Sequence, residues 1–275
     1  MSLANLKTHK QELTAGERYA FGANWARFLT VLDDDRILSA VQSLKMMLAV
    51  EHLEGKTFLD IGSGSGLFSL AARSLGATVL SFDYDPDSVA CTSELKRRYY
   101  PDDTQWTVQT GSVLDQAYMT SLGSFDVVYS WGVLHHTGAM WQALDNAEIA
   151  VKCDGLLFIA LYNYQPFASR YWTFVKRLYN KSLLARPLLI AIHALYPMLP
   201  SVLLKKLQNR KDPRGMSDWY NLLDWLGGYP FEVAKPEQIF DFFKERGFDL
   251  VTLKTVGGRL GCNEFVFRQR DPDCS

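Results

Sequence analysis

Two rhythms of apolar and polar positions run along this chain. From about residue 57, short apolar runs ending beside Gly, Asp or Ser alternate with stretches of helical spacing, the signature of a parallel sheet with crossover helices. Thr57–Ile61, Thr78–Asp83, Gln105–Thr110, Phe125–Ser130 and Gly155–Tyr162 read as five successive strands. Pro236–Arg246 then reads as a helix closed by Gly247, followed by a strand, Asp249–Val256, a Gly-rich turn and a last strand, Glu264–Arg268. Before the first strand, Thr14–Leu32 and Asp34–Val50 have amphipathic helical spacing and carry Tyr19, Phe21, Trp25 and Phe28. The expected organisation is α/β: an N-terminal helical cap at 1–50, a core formed by 51–162 and 236–270, and a helical, basic and aromatic insertion at 163–235.

With 275 residues, 48% hydrophobic and 21% charged, the chain can bury one sizeable core. A formal net charge of −1 argues against a protein that works by global attraction to nucleic acid. Cys91, Cys153, Cys262 and Cys274 are far apart and form no CxxC pair, so spacing suggests neither a zinc site nor a disulfide framework, and a cytoplasmic location is expected. Leu183–Leu204 is nearly all apolar, but Arg186, His193 and three prolines interrupt it. It reads as broken helices, not a bilayer span.

The chemistry gathers at strand ends. Asp60, Ile61, Gly62, Ser63, Gly64, Ser65, Gly66 directly follow the first apolar strand. Glycines let a turn lie against a ligand and adopt angles closed to other residues. A dinucleotide fingerprint needs GxGxxG, and Leu67 stands where its third glycine would be. Asp60 is expected to orient the turn and meet a cationic amine through water. At the next strand end, Asp83 suits bidentate bonding of a ribose diol, with Tyr84 on an adenine face. Asp85, Pro86 and Ser88 suit a helix start. The third strand end brings Ser112, Val113 and Asp115 toward the adenine edge.

Together these motifs resemble the class I S-adenosylmethionine-dependent methyltransferases, of the broad type that includes ubiquinone-biosynthesis methylases. The resemblance covers residues 55–162 and rests on Asp60, Gly62, Gly64, Gly66, Asp83 and the segment Ser130, Trp131, Gly132, Val133, Leu134, His135, His136. It implies a Rossmann-like, seven-stranded methyltransferase sheet, mostly parallel with the last strand antiparallel. It also implies S-adenosyl-L-methionine as cofactor, held by Asp60, Gly62, Ser63, Gly64, Gly66, Asp83, Tyr84, Ser112, Val113 and Trp131. Where many relatives carry an Asp for the adenine amino group, this chain has Ser112, so its hydroxyl, the backbone, water or Asp115 must serve.

Methyl transfer from a sulfonium needs an aligned nucleophile and, where that nucleophile bears a proton, a base. His136, and beside it His135, follows the fourth strand and supplies imidazole for that role, with a structural role as the alternative. Tyr162 and Asn163 at the fifth strand end, together with Trp25, Trp225 and Tyr229, are candidate substrate contacts. Trp131 and Gly132 replace the Asn/Asp-Pro-Pro-Tyr/Phe pattern of many DNA and protein amino-methylating enzymes, which favours a small-molecule oxygen, nitrogen or carbon acceptor. The histidines show no metal-ligand spacing, and no metal is expected.

From Gly155 to Lys211 the chain holds no Asp or Glu, yet it carries Arg170, Lys176, Arg177, Lys181, Arg186, Lys205, Lys206, Arg210 and Lys211 among aromatic residues. Residues 167–211 could lie on anionic lipid or embrace an amphiphilic acceptor. RNA is the competing partner, a non-catalytic scaffold of the same fold is another reading, and a helical lid with a solvated basic face is the plain alternative.

Overall fold

Phe58 on β1 (Thr57–Ile61) is wholly buried, and so is its neighbour Leu59, although the two side chains leave opposite faces of the strand. Both faces are therefore covered, as a central parallel strand requires. The computed structural model describes residues 9–195 and 218–270. Its seven strands are β1, β2 (Thr78–Asp83), β3 (Trp106–Thr110), β4 (Phe125–Trp131), β5 (Val151–Tyr162), β6 (Phe248–Lys254) and β7 (Cys262–Gln269). They lie in the order β3-β2-β1-β4-β5-β7-β6. The first five pair in parallel, and β7 runs antiparallel to both β5 and β6. This is the Rossmann-like sheet the sequence predicts. Its order reverses between β1 and β4, and ligands of open α/β sheets bind beyond the carboxyl ends of strands at such a point.

The period-two alternation sorts the core into two layers. Leu59, Val128, Leu157 and Ile159 face one apolar cluster, completed by Ala143 and Leu144 of α7 (Met140–Ile149) and Phe243 of α11 (Pro236–Lys244). Phe58, Val127, Tyr129 and Phe158 face the other, covered by Leu44 of α3 (Asp34–Leu48), Leu70 of α4 (Leu67–Ser74) and Leu95 of α5 (Pro86–Tyr99). A last crossover helix, α6 (Gln116–Ser121), is capped by Asp115, whose carboxylate accepts from the Tyr118 N–H.

Several boundaries depart from the sequence reading. The helix expected over Thr14–Leu32 is confined to α2 (Gly22–Val31), and a separate short helix, α1 (His9–Thr14), precedes it. Gly16 breaks the run at φ +65°, and a Cβ there would lie 2.6 Å from the Asn180 carbonyl oxygen. Strand β5 begins four residues before the expected Gly155, with Asp154 at φ +57° beside a register shift against β4. The insertion supplies α8 (Pro166–Lys181), α9 (Ala185–His193) and α10 (Asp218–Gly227), which share a small apolar cluster around Tyr179, Leu189 and Leu226. The expected basic residues Lys205, Lys206, Arg210 and Lys211 lie outside the described residues. No helix among the described residues is long and apolar enough to cross a membrane. Cys91 is a free thiol, and Cys153 is disulfide-bonded. Wide cysteine spacing, which suggested no disulfide framework, thus leaves room for a single bridge.

Candidate functional site

The turn after β1 is built by its glycines. Gly62, Gly64 and Gly66 all have left-handed φ, of +76°, +55° and +80°. A Cβ on Gly62 would stand 2.4 Å from Val133, one on Gly64 would stand 3.0 Å from the Trp25 indole, and one on Gly66 would meet Thr92 at 3.0 Å. Conformation and space exclude side chains together. The Gly62 and Ser63 N–H groups donate to the Phe82 carbonyl, and Thr92 Oγ1 donates to the Gly64 carbonyl.

Asp83, at the end of β2, joins this turn to the next. Its carboxylate accepts from the Gly64 N–H at 2.9 Å and from the Asp85 N–H at 2.9 Å. An ionised carboxylate has about four acceptor positions, so capacity remains for a diol. Burial pushes its carboxyl up to about 6 against those two bonds. Asp60 stands behind the turn. It is buried and accepts from Ser69 Oγ on α4, while Ser69 Oγ lies 2.7 Å from Ser81 Oγ, which in turn accepts from Trp106 Nε1. Burial raises its carboxyl to about 7. Asp60 thus ties the first turn of α4 to the sheet.

The third strand end is tighter than its sequence suggests. Ser112 Oγ accepts from the Leu114 N–H at 3.2 Å, Val113 is buried, and Asp115 is committed to capping α6. Trp131, at the end of β4, packs with Trp25 against the α3–α4 cluster. Tyr84 is contacted by the His9 ring, edge to face at 5.4 Å, and by the Arg18 guanidinium over its ring at 4.9 Å.

The segment 9–31 covers the strand ends. The Gly22 N–H donates to Asp85 at 2.8 Å, Arg18 donates to the His136 carbonyl at 3.1 Å, and the Tyr19 N–H donates to the Tyr229 carbonyl at 3.0 Å. With Trp25 over Gly64, it closes the mouth of the β1 and β2 turns.

Beyond β4 and β5 lies an aromatic box. His135, His136, Tyr162, Trp225 and Phe231 stand with neighbouring ring centroids 3.9 to 6.3 Å apart, and Phe21 reaches His136 at 5.0 Å. The ammonium of the wholly buried Lys176 enters the same box, 4.4 Å from the Trp225 ring centroid and 5.0 Å from that of Phe231, and donates to the Trp225 carbonyl. Sequence reasoning named Phe21 only in the helical cap and Lys176 only in the basic insertion, and did not place them or Phe231 in this box. For Lys176 a signal existed, because it falls between Trp172 and Tyr179 on the inward stripe of α8.

Hydrogen bonding fixes the two imidazoles. His136 Nδ1 lies 2.6 Å from the Pro230 carbonyl, which can only accept, so the proton is on Nδ1 and the Nε2 lone pair is free to accept. His135 Nδ1 accepts from the Tyr162 N–H at 3.2 Å, so its proton is on Nε2, which has no hydrogen-bond partner among the described residues. Burial, followed by the nearby Lys176 and Arg18 charges, pulls His136 down to about 3, and burial pulls His135 well below its ordinary value. Both are neutral at pH 7 and are weaker bases than the ordinary imidazole that sequence position suggested.

Two expected substrate contacts stand differently. Asn163 is buried and spends its amide on the β6–β7 connection: Nδ2 donates to the Gly257 carbonyl, and Oδ1 accepts from Asn263. It lines a groove of about 790 Å³ with Tyr164, Lys235 and Gln238. Tyr229 is held through its backbone carbonyl by Tyr19. Among the described residues no group of three or more His, Cys, Asp or Glu could hold a metal ion.

Residues 59–157 match the family model described as a methyltransferase domain, a span from β1 through the glycine turn and Asp83 to β5. The chain carries a class I S-adenosylmethionine-dependent methyltransferase domain. Similarity to individual curated proteins is partial. A ubiquinone biosynthesis O-methyltransferase of Glaesserella parasuis is 29% identical over 111 residues, covering 40% of this chain and 47% of that protein. A tRNA U34 carboxymethyltransferase of Pseudoalteromonas translucida is 30% identical over 115 residues, covering 42% of this chain and 34% of that protein. The chain thus spans less than half the length of these curated relatives. Among solved structures, the N-methyltransferase NodS of Bradyrhizobium japonicum in complex with S-adenosyl-L-homocysteine superimposes with a TM-score of 0.53 at 14% identity. That alignment covers 92% of this chain and all of the other, and shows the shared methyltransferase fold.

Proposed function

We propose that this chain transfers a methyl group from S-adenosylmethionine to a small-molecule or lipid-like acceptor. The observation that carries the reading is the bond from the Gly64 N–H to Asp83, which makes the glycine turn and the strand-end acid one unit at the point where the sheet order reverses. The fit is specific: left-handed glycines leave a turn without side chains, and Asp83 retains lone pairs for a ribose diol. Gly62, Ser63, Gly64, Gly66 and Asp83 would hold the cofactor, with Trp25 closing over the turn. When bound, the cofactor supplies an electrophilic methyl group on sulfur.

The residues of the aromatic box do the remaining work. Tyr162, Trp225 and Phe231, their rings inclined at 46 to 87° to one another, offer an aromatic wall that orients an acceptor and excludes water. His136, neutral with its proton held by Pro230, offers Nε2 as a hydrogen-bond acceptor to a hydroxyl or amine; its depressed basicity makes it an orienting group more than a strong base. Calorimetry with S-adenosylhomocysteine tests the cofactor half: folded protein that takes up none refutes the proposal. Asp83→Ala should weaken that binding by ~1 to 3 kcal/mol, and unchanged affinity would remove Asp83 from the ribose site. A second reading, an RNA acceptor, draws on the tRNA-modifying relative and the exposed Arg170 and Arg177. It requires RNA binding that falls steeply with salt.

A further inference from the structure

Helix α8 has two faces of opposite purpose. Ser169, Val175, Lys176, Tyr179 and Asn180 are buried, and Val175 and Tyr179 pack with Leu222 and Leu226 of α10. The other face shows large apolar side chains to solvent: Phe167 is 88% exposed and Phe174, one heptad on, is 65% exposed. Helix α9 extends the surface, with Leu188 63% exposed and Leu184, just before it, 91% exposed. Scattered exposed leucines are ordinary, but repeated large apolar groups at helical spacing on adjoining elements form a surface that water disfavours.

The charges around this surface select its partner. Arg170, Arg177 and Lys181 are exposed. At 3.6 residues per turn, a residue three positions on is rotated by about 60° the other way, so Arg170 and Arg177 form a ridge beside that of Phe167 and Phe174. No acidic residue occurs from Gly155 to Lys211 to offset them. Apolar side chains flanked by cations match a bilayer, where the former enter the acyl boundary and the latter meet phosphate headgroups.

We propose that the outward face of α8 and α9 docks on an anionic lipid bilayer surface. The inward face of α8 carries Lys176 into the aromatic box, so docking brings that box beside the lipid. The inference stands on exposure and charge and is independent of the methyl-transfer reading.

Co-sedimentation of the full chain with vesicles of equimolar phosphatidylcholine and phosphatidylglycerol, against vesicles of phosphatidylcholine alone, tests it. The chain should pellet with the anionic vesicles, and raised salt should release it. Two variants locate the surface: Phe167→Ser with Leu184→Ser, and Arg170→Gln with Arg177→Gln and Lys181→Gln. Each should keep the wild-type circular dichroism spectrum and thermal midpoint, and the three charge removals should lower partitioning roughly a hundredfold. Wild-type protein that stays in solution with both vesicles, or folded variants that bind as wild type does, would overturn the proposal. So would vesicle-independent dimerisation abolished by Phe167→Ser with Leu184→Ser, which would make the face a contact between copies.

Discussion

At the scale of single residues, burial resets the protonation of the acids and imidazoles of the site. Asp60 has its carboxyl raised to about 7 from an ordinary 3.8, chiefly by burial. A carboxyl raised on folding binds its proton more tightly in the native state, so its contribution to stability is fully present below about pH 4 and is lost as pH rises through about 7. Asp60→Asn keeps an oxygen for Ser69 and cannot ionise. Its thermal midpoint should therefore exceed that of wild type at about pH 8 by the equivalent of a few kcal/mol, with the gain vanishing at about pH 4. A difference that does not change with pH would show that Asp60 stays ionised. The buried imidazoles run the opposite way: with folded values below 6.5, their stabilisation is present above 6.5 and fades as pH falls toward the His136 value of about 3. In NMR titration, the ring signals of His135 and His136, assigned through His136→Gln, should stay fixed from about pH 8 to about pH 5. A midpoint near 6.5 for His136 would restore it as an ordinary base. None of this was visible in the sequence, which shows two histidines after a strand but not the Pro230 carbonyl, 94 residues further on, that fixes one tautomer.

At the scale of elements, the parts that the sequence predicts well are those set by local pattern. The strands keep their order because each carries its own apolar alternation, and the glycine turn keeps its place because left-handed angles can be met by few residues other than glycine. Gly62→Ala should cost at least ~1 to 2 kcal/mol in thermal or denaturant unfolding, from backbone strain and the close approach to Val133 together; a neutral result would mean that the turn shifts freely. Elements positioned by distant partners were less legible. The break between α1 and α2 depends on Gly16 meeting Asn180, and the commitment of Asn163 depends on Gly257 and Asn263, contacts that no local window contains. Helix α2 is the clearest test of a tertiary role. Its N-terminal N–H is fastened to Asp85, and its Trp25 lies over Gly64. If α2 closes the cradle, Trp25→Ala should speed the release of S-adenosylhomocysteine and weaken its binding by ~0.5 to 1.5 kcal/mol. A loss of stability with affinity unchanged would reduce the indole to a packing group.

At the scale of the whole molecule, the sheet and the insertion have unequal means of holding themselves together. The sheet is buried on both faces between two large apolar clusters, whereas α8, α9 and α10 share a small cluster built on Val175, Tyr179, Leu189, Leu222 and Leu226. Elements with few buried apolar groups open at lower free energy than the core they border. A ligand that binds only the native state adds stability to every opening that destroys its site, about 2.7 kcal/mol at a hundredfold excess over its dissociation constant, and adds nothing to an opening that leaves the site intact. S-adenosylhomocysteine should therefore slow amide exchange in β1, β2 and β4, whose ends form the cradle, and leave exchange in α9 unchanged. Leu226→Ala, which removes a wholly buried side chain from the small cluster, should speed exchange in α8 and α9 without altering β1. Equal slowing of α9 and β1 by the ligand would show instead that sheet and insertion unfold as one unit, and that the exposed apolar face of the insertion is carried at the full stability of the core.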